Sequence, residues 1–406
     1  MHPGVYLDSV VTTRARPCYL QAMKWATALS RRDAFPAAAQ EATQLLREAL
    51  GTTPDLVLMF ASGYPDAAPS LVRNVLDGPR LVGCSAGGVI GGGQEVEKVA
   101  ALSLVGASLP GIGLHPFHLD PVYTPRFPND HDGWHRRIPA PVDTTRCMLI
   151  FPDPHTADSQ LILAGVDESF PGITVLGGLA SGDAPGRAAL YLDDEILHVG
   201  TVGVALSGPL AVETLISQGC RPIGRPLVVT ATEENFILEI EKRRALDVLN
   251  EIFRALPKDE QKRFARSLVV GLETDKSRMD YRPQELLVRH VQGVDPESGA
   301  ISVSAYLEPP QVVQFMVRDA SAAEADLAQH LEARAGGPKP EGALLFSCLG
   351  RGSGFFGAPN HDSDLLRRNV GNVPVGGFFS NGEIGPVHGK TFVHSYTSAF
   401  GLFRGI

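Results

Sequence analysis

Val375-Gly376-Gly377-Phe378-Phe379-Ser380-Asn381-Gly382 reads as a short apolar strand running into a glycine-rich turn, and Ala343-Leu344-Leu345-Phe346 upstream reads as its partner strand. The same pattern occurs twice more. Leu56–Phe60 precedes Leu81-Val82-Gly83-Cys84-Ser85-Ala86-Gly87-Gly88, and Cys147–Phe151 precedes Val175-Leu176-Gly177-Gly178-Leu179-Ala180-Ser181-Gly182. Each copy is followed by a further strand candidate: Val99–Ala107, Thr201–Leu206 and Thr391–Phe403. The expected unit is strand, partly helical crossover, strand, Gly-turn and strand, repeated three times. This predicts an α/β fold with mixed β-sheets flanked by helices.

The chain of 406 residues has room for more than one core, and 44% hydrophobic with 20% charged residues is ordinary globular composition. Gly 43 and Pro 31 are in excess, which implies many tight turns. Two domains, 33–220 and 221–405, are expected to meet at the Pro/Gly-rich break near 208–226. Helical periodicity predicts helices over 33–50 with Asp33 as cap, over 234–256, and over 321–335 with Ser321 as cap. Strands are expected near 267–273, 285–292 and 300–306, and 108–146 reads as a long connection.

A net charge of −9 without a Lys/Arg run argues against a nucleic-acid surface. Residues 1–30 lack the pattern of an export signal, and no long apolar window suggests membrane insertion. Cys18, Cys84, Cys147, Cys220 and Cys348 are dispersed and show no disulfide framework, as expected of reduced thiols in a cytoplasmic protein.

The stretches Cys348-Leu349-Gly350-Arg351-Gly352, Gly377-Phe378-Phe379-Ser380-Asn381-Gly382-Glu383-Ile384-Gly385-Pro386 and His394-Ser395-Tyr396-Thr397 resemble the motifs of the FIST C-terminal domain. Gly83-Cys84-Ser85 resembles the Gly-Cys-Ser/Thr motif of the FIST N-terminal domain, and the resemblance spans roughly 33–405. It implies a sensory module in signal transduction that binds a small ligand such as an amino acid and passes its state to a partner protein by association. No cofactor is implied.

An amino acid needs an anion site and an ammonium site. Arg351 can fork onto a carboxylate, and Glu383 can accept from an ammonium; alternatively the two pair with each other. Asn381 offers donor and acceptor, and Gly352, Gly376 and Gly377 are expected to leave backbone N–H groups uncovered beside Cys84 and Ser85. One reading is binding without chemistry. A second is a hydrolase using Cys84 or Cys348, with His361, His388 or His394 as base. A third is a protein-interaction scaffold that takes no metabolite. Gly352–Gly357 matches a dinucleotide fingerprint, but Ala358-Pro359-Asn360 interrupts the helix it should open and no acidic residue follows about 20 residues on. Asp130-His131-Asp132 with His135, and His361-Asp362 with Asp364, meet no metal spacing and read as turns and caps, Asp362 or Ser363 capping a helix.

Overall fold

The computed structural model describes residues 22–182, 188–277 and 282–406. Cys18 lies outside them, as do most of the residues searched for an export signal.

The three predicted repeats are three sheets of one design. The first unit runs β1 (Lys24–Ser30), α1 (Phe35–Leu50), β2 (Leu56–Ser62), α2 (Pro69–Val75), β3 (Arg80–Ser85), the hairpin β4 (Gly88–Gly91) and β5 (Gln94–Glu97), and β6 (Ala101–Ser108). The second runs β7 (Gly113–Leu119), α3 (His131–Arg137), β8 (Thr145–Pro152), α4 (Ser159–Ser169), β9 (Thr174–Gly178), the hairpin β10 (Leu190–Leu192) and β11 (Glu195–Leu197), and β12 (Thr201–Ser207). The third opens with β13 (Leu210–Gln218). After an insertion it resumes with α7 (Ala320–Ala333), β22 (Gly342–Cys348), α8 (Gly352–Phe356), α9 (His361–Val370), β23 (Val375–Ser380), the hairpin β24 (Glu383–Val387) and β25 (Lys390–His394), and β26 (Thr397–Gly405).

In every unit the crossover joins a parallel pair, β2/β3, β8/β9 or β22/β23, and the last strand returns antiparallel between the first two. The hairpins do not stay in their own sheets. β4–β5 extends the third sheet at β23, β10–β11 extends the first at β3, and β24–β25 extends the second at β9. The exchange is cyclic, so the units are related as around a threefold axis. Phe60, Phe151 and Phe346, at matching positions of β2, β8 and β22, meet there with ring centroids 5.5–6.4 Å apart. Phe378 stacks on Phe60 at 4.8 Å, and all four rings are buried. Edge-to-face aromatic packing of this kind adds to the hydrophobic gain of burial.

The insertion holds β14 (Cys220–Pro222), β15 (Leu227–Glu233), β16 (Phe236–Ile240), β17 (Arg243–Arg244), α5 (Ala245–Ala255), α6 (Lys258–Ser267), β18 (Leu268–Leu272), β19 (Leu287–Val294), β20 (Ile301–Val303) and β21 (Gln311–Arg318). Strands β21, β15, β16, β20, β19 and β18 close into an antiparallel ring through the β21–β18 pairing, around Val229, Ile237, Ile301 and Phe315. Closure removes the edges that an open sheet would expose.

Several local expectations change. The apolar residues at 236–240 belong to β16, because Glu241 and Lys242 adopt positive φ of 53° and 62° and turn the chain back into β17; the helix starts only at Ala245. The 108–146 stretch contains β7 and α3. Asp319, whose carboxylate accepts from Ser321 N and Ala322 N, caps α7 in place of Ser321. Ala34 precedes α1 with Pro36 in its first turn, and Asp33 does not cap it. Asn360 occupies the N-cap of α9, so neither Asp362 nor Ser363 caps it.

Candidate functional site

The glycine turns lie where the three units interlock. Gly83, Gly177 and Gly377 stand opposite Met59, Ile150 and Leu345, and a Cβ on them would fall 1.8, 1.9 and 1.9 Å from those residues' carbonyl oxygens. Only glycine permits that approach. Beyond it the turns hydrogen-bond to one another. Ser181 Oγ donates to Phe379 O at 2.6 Å and accepts from Gly87 N at 2.9 Å, while Ser85 Oγ donates to Ser181 O at 3.1 Å. Ala86 N donates to Ala61 O, Ala180 N to Pro152 O and Asn381 N to Leu179 O. The N–H groups at these turns are therefore largely spent, Gly87 and Asn381 across units and Ala86 and Ala180 within their own. Gly376 and Gly377 are buried within β23, and Gly352 makes room for Glu97, which accepts from Ser353 N and Oγ at 2.8 Å. Ser85 is half-buried and Asn381 is exposed. Phe378 and Phe379 both sit in cores, so neither lines a cleft.

Arg351 and Glu383 come close enough to feel each other's charge but take other partners. Arg351 is 1% exposed and forks onto Asp362 through Nε at 3.1 Å and Nη2 at 3.2 Å, and Ser398 Oγ donates to the same carboxylate. Together these hold Asp362 well below the usual carboxylate range. Glu383 is wholly buried and accepts from Ser380 Oγ at 2.8 Å, Thr397 Oγ1 at 2.7 Å and Thr397 N at 3.1 Å. Burial nonetheless raises its pKa to about 7.

The cysteines are poorly placed for nucleophilic work. Cys84 is buried beside the phenylalanine cluster, and burial raises its pKa well above the thiol value. Cys348 is half-buried; desolvation and the Glu383 charge push it to about 12, against the pull of the Gly350 and Tyr396 N–H groups and of Arg351. His394 is buried on Gly385 O, and His361 pairs with Asp362 while stacking on Phe356. His388 contacts Glu285. Tyr396, at φ 63°, bonds His290 of the barrel through its hydroxyl, and Arg318 lies over its ring while donating to Gly350 O. The C-terminal motif thus builds the joint between barrel and core.

A cavity of about 440 Å³ opens beside that joint. Its walls come from helix α4 (Gln160, Ala164, Asp167, Glu168), strand β25 (Lys390–Val393) and the barrel (Leu272, Glu273, Arg289, Tyr306, Gln311). Asp167 fastens the hairpin, accepting from Thr391 N and Oγ1 at 2.7 Å each, and burial raises its pKa. Glu273 accepts from Val312 N at 2.7 Å through Oε1, and its Oε2 is buried without a partner among the described residues. Arg289 is 8% exposed, its Nη1 donates to Val288 O at 2.8 Å, and burial lowers its pKa to about 10. Sequence reasoning expected a strand near 285–292 and passed over Arg289 within it. The available signal was a charge inside that run.

Among the described residues no group of three or more His, Cys, Asp or Glu could hold a metal, and no helix is long and apolar enough to cross a membrane.

Models of two families match: the FIST N domain over residues 55–243 and the FIST C domain over residues 245–386. An uncharacterized protein of Mycobacterium tuberculosis is 36% identical over 387 residues, 91% of this chain and 97% of the relative. One of Mycobacterium bovis is 34% identical over 387 residues, 91% of this chain and 96% of the relative. An F-box/LRR-repeat protein of Arabidopsis thaliana is 28% identical over 153 residues, 33% of this chain and 28% of the relative. Among solved structures a cyanuric acid hydrolase aligns with 95% of this chain and 100% of its own at a TM-score of 0.32 and 10% identity.

Proposed function

The chain belongs to the FIST family, and from that membership we propose that it is a small-ligand-binding sensory protein of the cytoplasm, its ligand an amino acid or related polar metabolite. The proposal includes an output by association with a partner protein. The observation that carries it is the 440 Å³ cavity whose walls come from the barrel, from α4 of the second unit and from a hairpin of the third. A ligand there touches two separately packed pieces, the barrel on one side and the second sheet with α4 and its annexed hairpin on the other, so its binding energy can favour one arrangement of them over another.

A second location stays in view. The turns carrying Cys84, Ser85, Gly352, Gly376, Gly377, Asn381 and Glu383 converge, and Asn381 is exposed where they meet. A thermal-shift screen of the full chain against polar metabolites separates the two. A ligand at 100 times its Kd stabilises by about 2.7 kcal/mol. Ala164→Phe, which fills the cavity, should remove the shift, and Asn381→Ala should leave it. The reverse outcome places the ligand on the turns, and no shift from any metabolite leaves the scaffold reading.

A further inference from the structure

We propose that the cavity between barrel and core is a carboxylate site, with Arg289 as the group that receives a small monocarboxylate or zwitterion. This rests on the ligand-binding reading above and names the class of ligand.

The fold contains a control for the argument. Arg351 and Arg289 are both more than nine-tenths buried. An arginine keeps its charge in a protein, and burying that charge is costly unless an acid and hydrogen bonds compensate it. Around Arg351 the fold supplies full compensation, with Asp362 on two nitrogens and Tyr396 O on the third. Arg289 lines an open cavity and, among the described residues, makes one hydrogen bond, to a main-chain carbonyl. No ion pair among the described residues includes it, and desolvation is what acts on its proton. A guanidinium has five N–H donors in a planar fork, the complement of a carboxylate.

The other walls limit the rest of the ligand. Asp167, Glu168 and Glu273 also line the cavity. A dicarboxylate or phosphate would bring its second negative charge against these three acids, with the other lining cation, Lys390, already acting on the Asp167 charge, whereas a single carboxylate, alone or with an ammonium group, takes Arg289 and leaves the acceptors to the rest of the ligand. The volume suits a small molecule.

The test uses the full chain and matched probes: amino acids, 2-oxo acids and short monocarboxylates, each beside its amide, with succinate and inorganic phosphate as dianions. At least one monocarboxylate is expected to raise Tm, its amide to bind at least tenfold more weakly, and the dianions to give no shift. Arg289→Gln should abolish the shift and Arg289→Lys should restore part of it. An amide binding within threefold of its acid, or binding unchanged in Arg289→Gln, overturns the carboxylate assignment. If such a ligand is still excluded by Ala164→Phe, the sensor reading survives. No shift from any probe or any polar metabolite overturns both. A second measurement needs no ligand. An arginine held ready for an absent anion burdens the empty protein, so ligand-free Arg289→Met should melt at or above the wild-type temperature, and a drop of more than about 5 °C would mark Arg289 as structural and end the proposal.

Discussion

Arg351 and Glu383 stand out in the sequence because charged residues flanked by glycines and apolar strands must be doing something specific. Their partners were not legible, since Asp362, Ser398 and Thr397 are brought in by other elements. Glu383 makes a testable difference to stability. Its folded pKa of about 7 lies above the ordinary 4.5, so the folded state holds the proton more tightly and stability falls as pH rises from 4.5 to about 7. His394 acts oppositely in an overlapping window. Burial lowers it to about 4, so its contribution is complete above 6.5 and is lost as pH falls toward 4. The two slopes partly cancel in the native protein, and the difference between proteins isolates one of them. In Glu383→Gln the Glu383 slope disappears: relative to wild type it should gain on the order of 3 kcal/mol between pH 5 and pH 8. Urea denaturation at both pH values measures it, and parallel profiles for the two proteins would reject the assignment.

At the scale of elements, strand positions and Gly-turns were legible because alternation, apolar runs and glycine pairs are local signals. The helix expected from 234 was misplaced because β16 is apolar enough to mimic helical spacing and its turn uses Glu241 and Lys242, which carry no turn signature. Asp319 was missed as a cap for want of a sharp boundary between β21 and α7. The glycines themselves divide into two classes. Gly377→Ala sets a Cβ 1.9 Å from Leu345 O, where no rotamer relieves the overlap, and should cost at least about 3 kcal/mol or abolish soluble expression. Gly83→Ala and Gly177→Ala should behave alike. Gly354, in α8 with nothing within 4 Å of its Cβ position, is the opposite case: Gly354→Ala should be neutral or stabilise by up to about 1 kcal/mol. Thermal melts of the four variants check the division. A tolerated Gly377→Ala would show that β22 and β23 can separate at that point.

Across the whole molecule, the sequence carried the threefold repetition but not the exchange of hairpins, since the local pattern of a strand does not name the sheet it will join. The insertion of the barrel between β13 and α7 was equally invisible, although three of its strands were expected. The exchange has a direct test. Cut between Gly208 and Pro209, the chain yields one fragment whose second sheet lacks β24–β25 and another whose third sheet lacks β4–β5. Neither should give a cooperative melt alone, and an equimolar mixture should regain one. A cooperative melt from the 22–208 fragment by itself would show that the exchanged pairings are dispensable.

The exchange also bears on how the protein is made. The hairpin at Gly88–Glu97 leaves the ribosome early, yet the strand it pairs with, Val375–Ser380, is synthesised near the end. The first unit can collapse on α1 and its own strands, but its hairpin must wait, unpaired, through the synthesis of the second unit and the entire barrel. Pairings this distant in sequence are slow to form and leave strand edges open meanwhile. Biosynthesis of this chain is therefore most exposed to aggregation during translation of the barrel, and the ring closes only when the last sheet emerges.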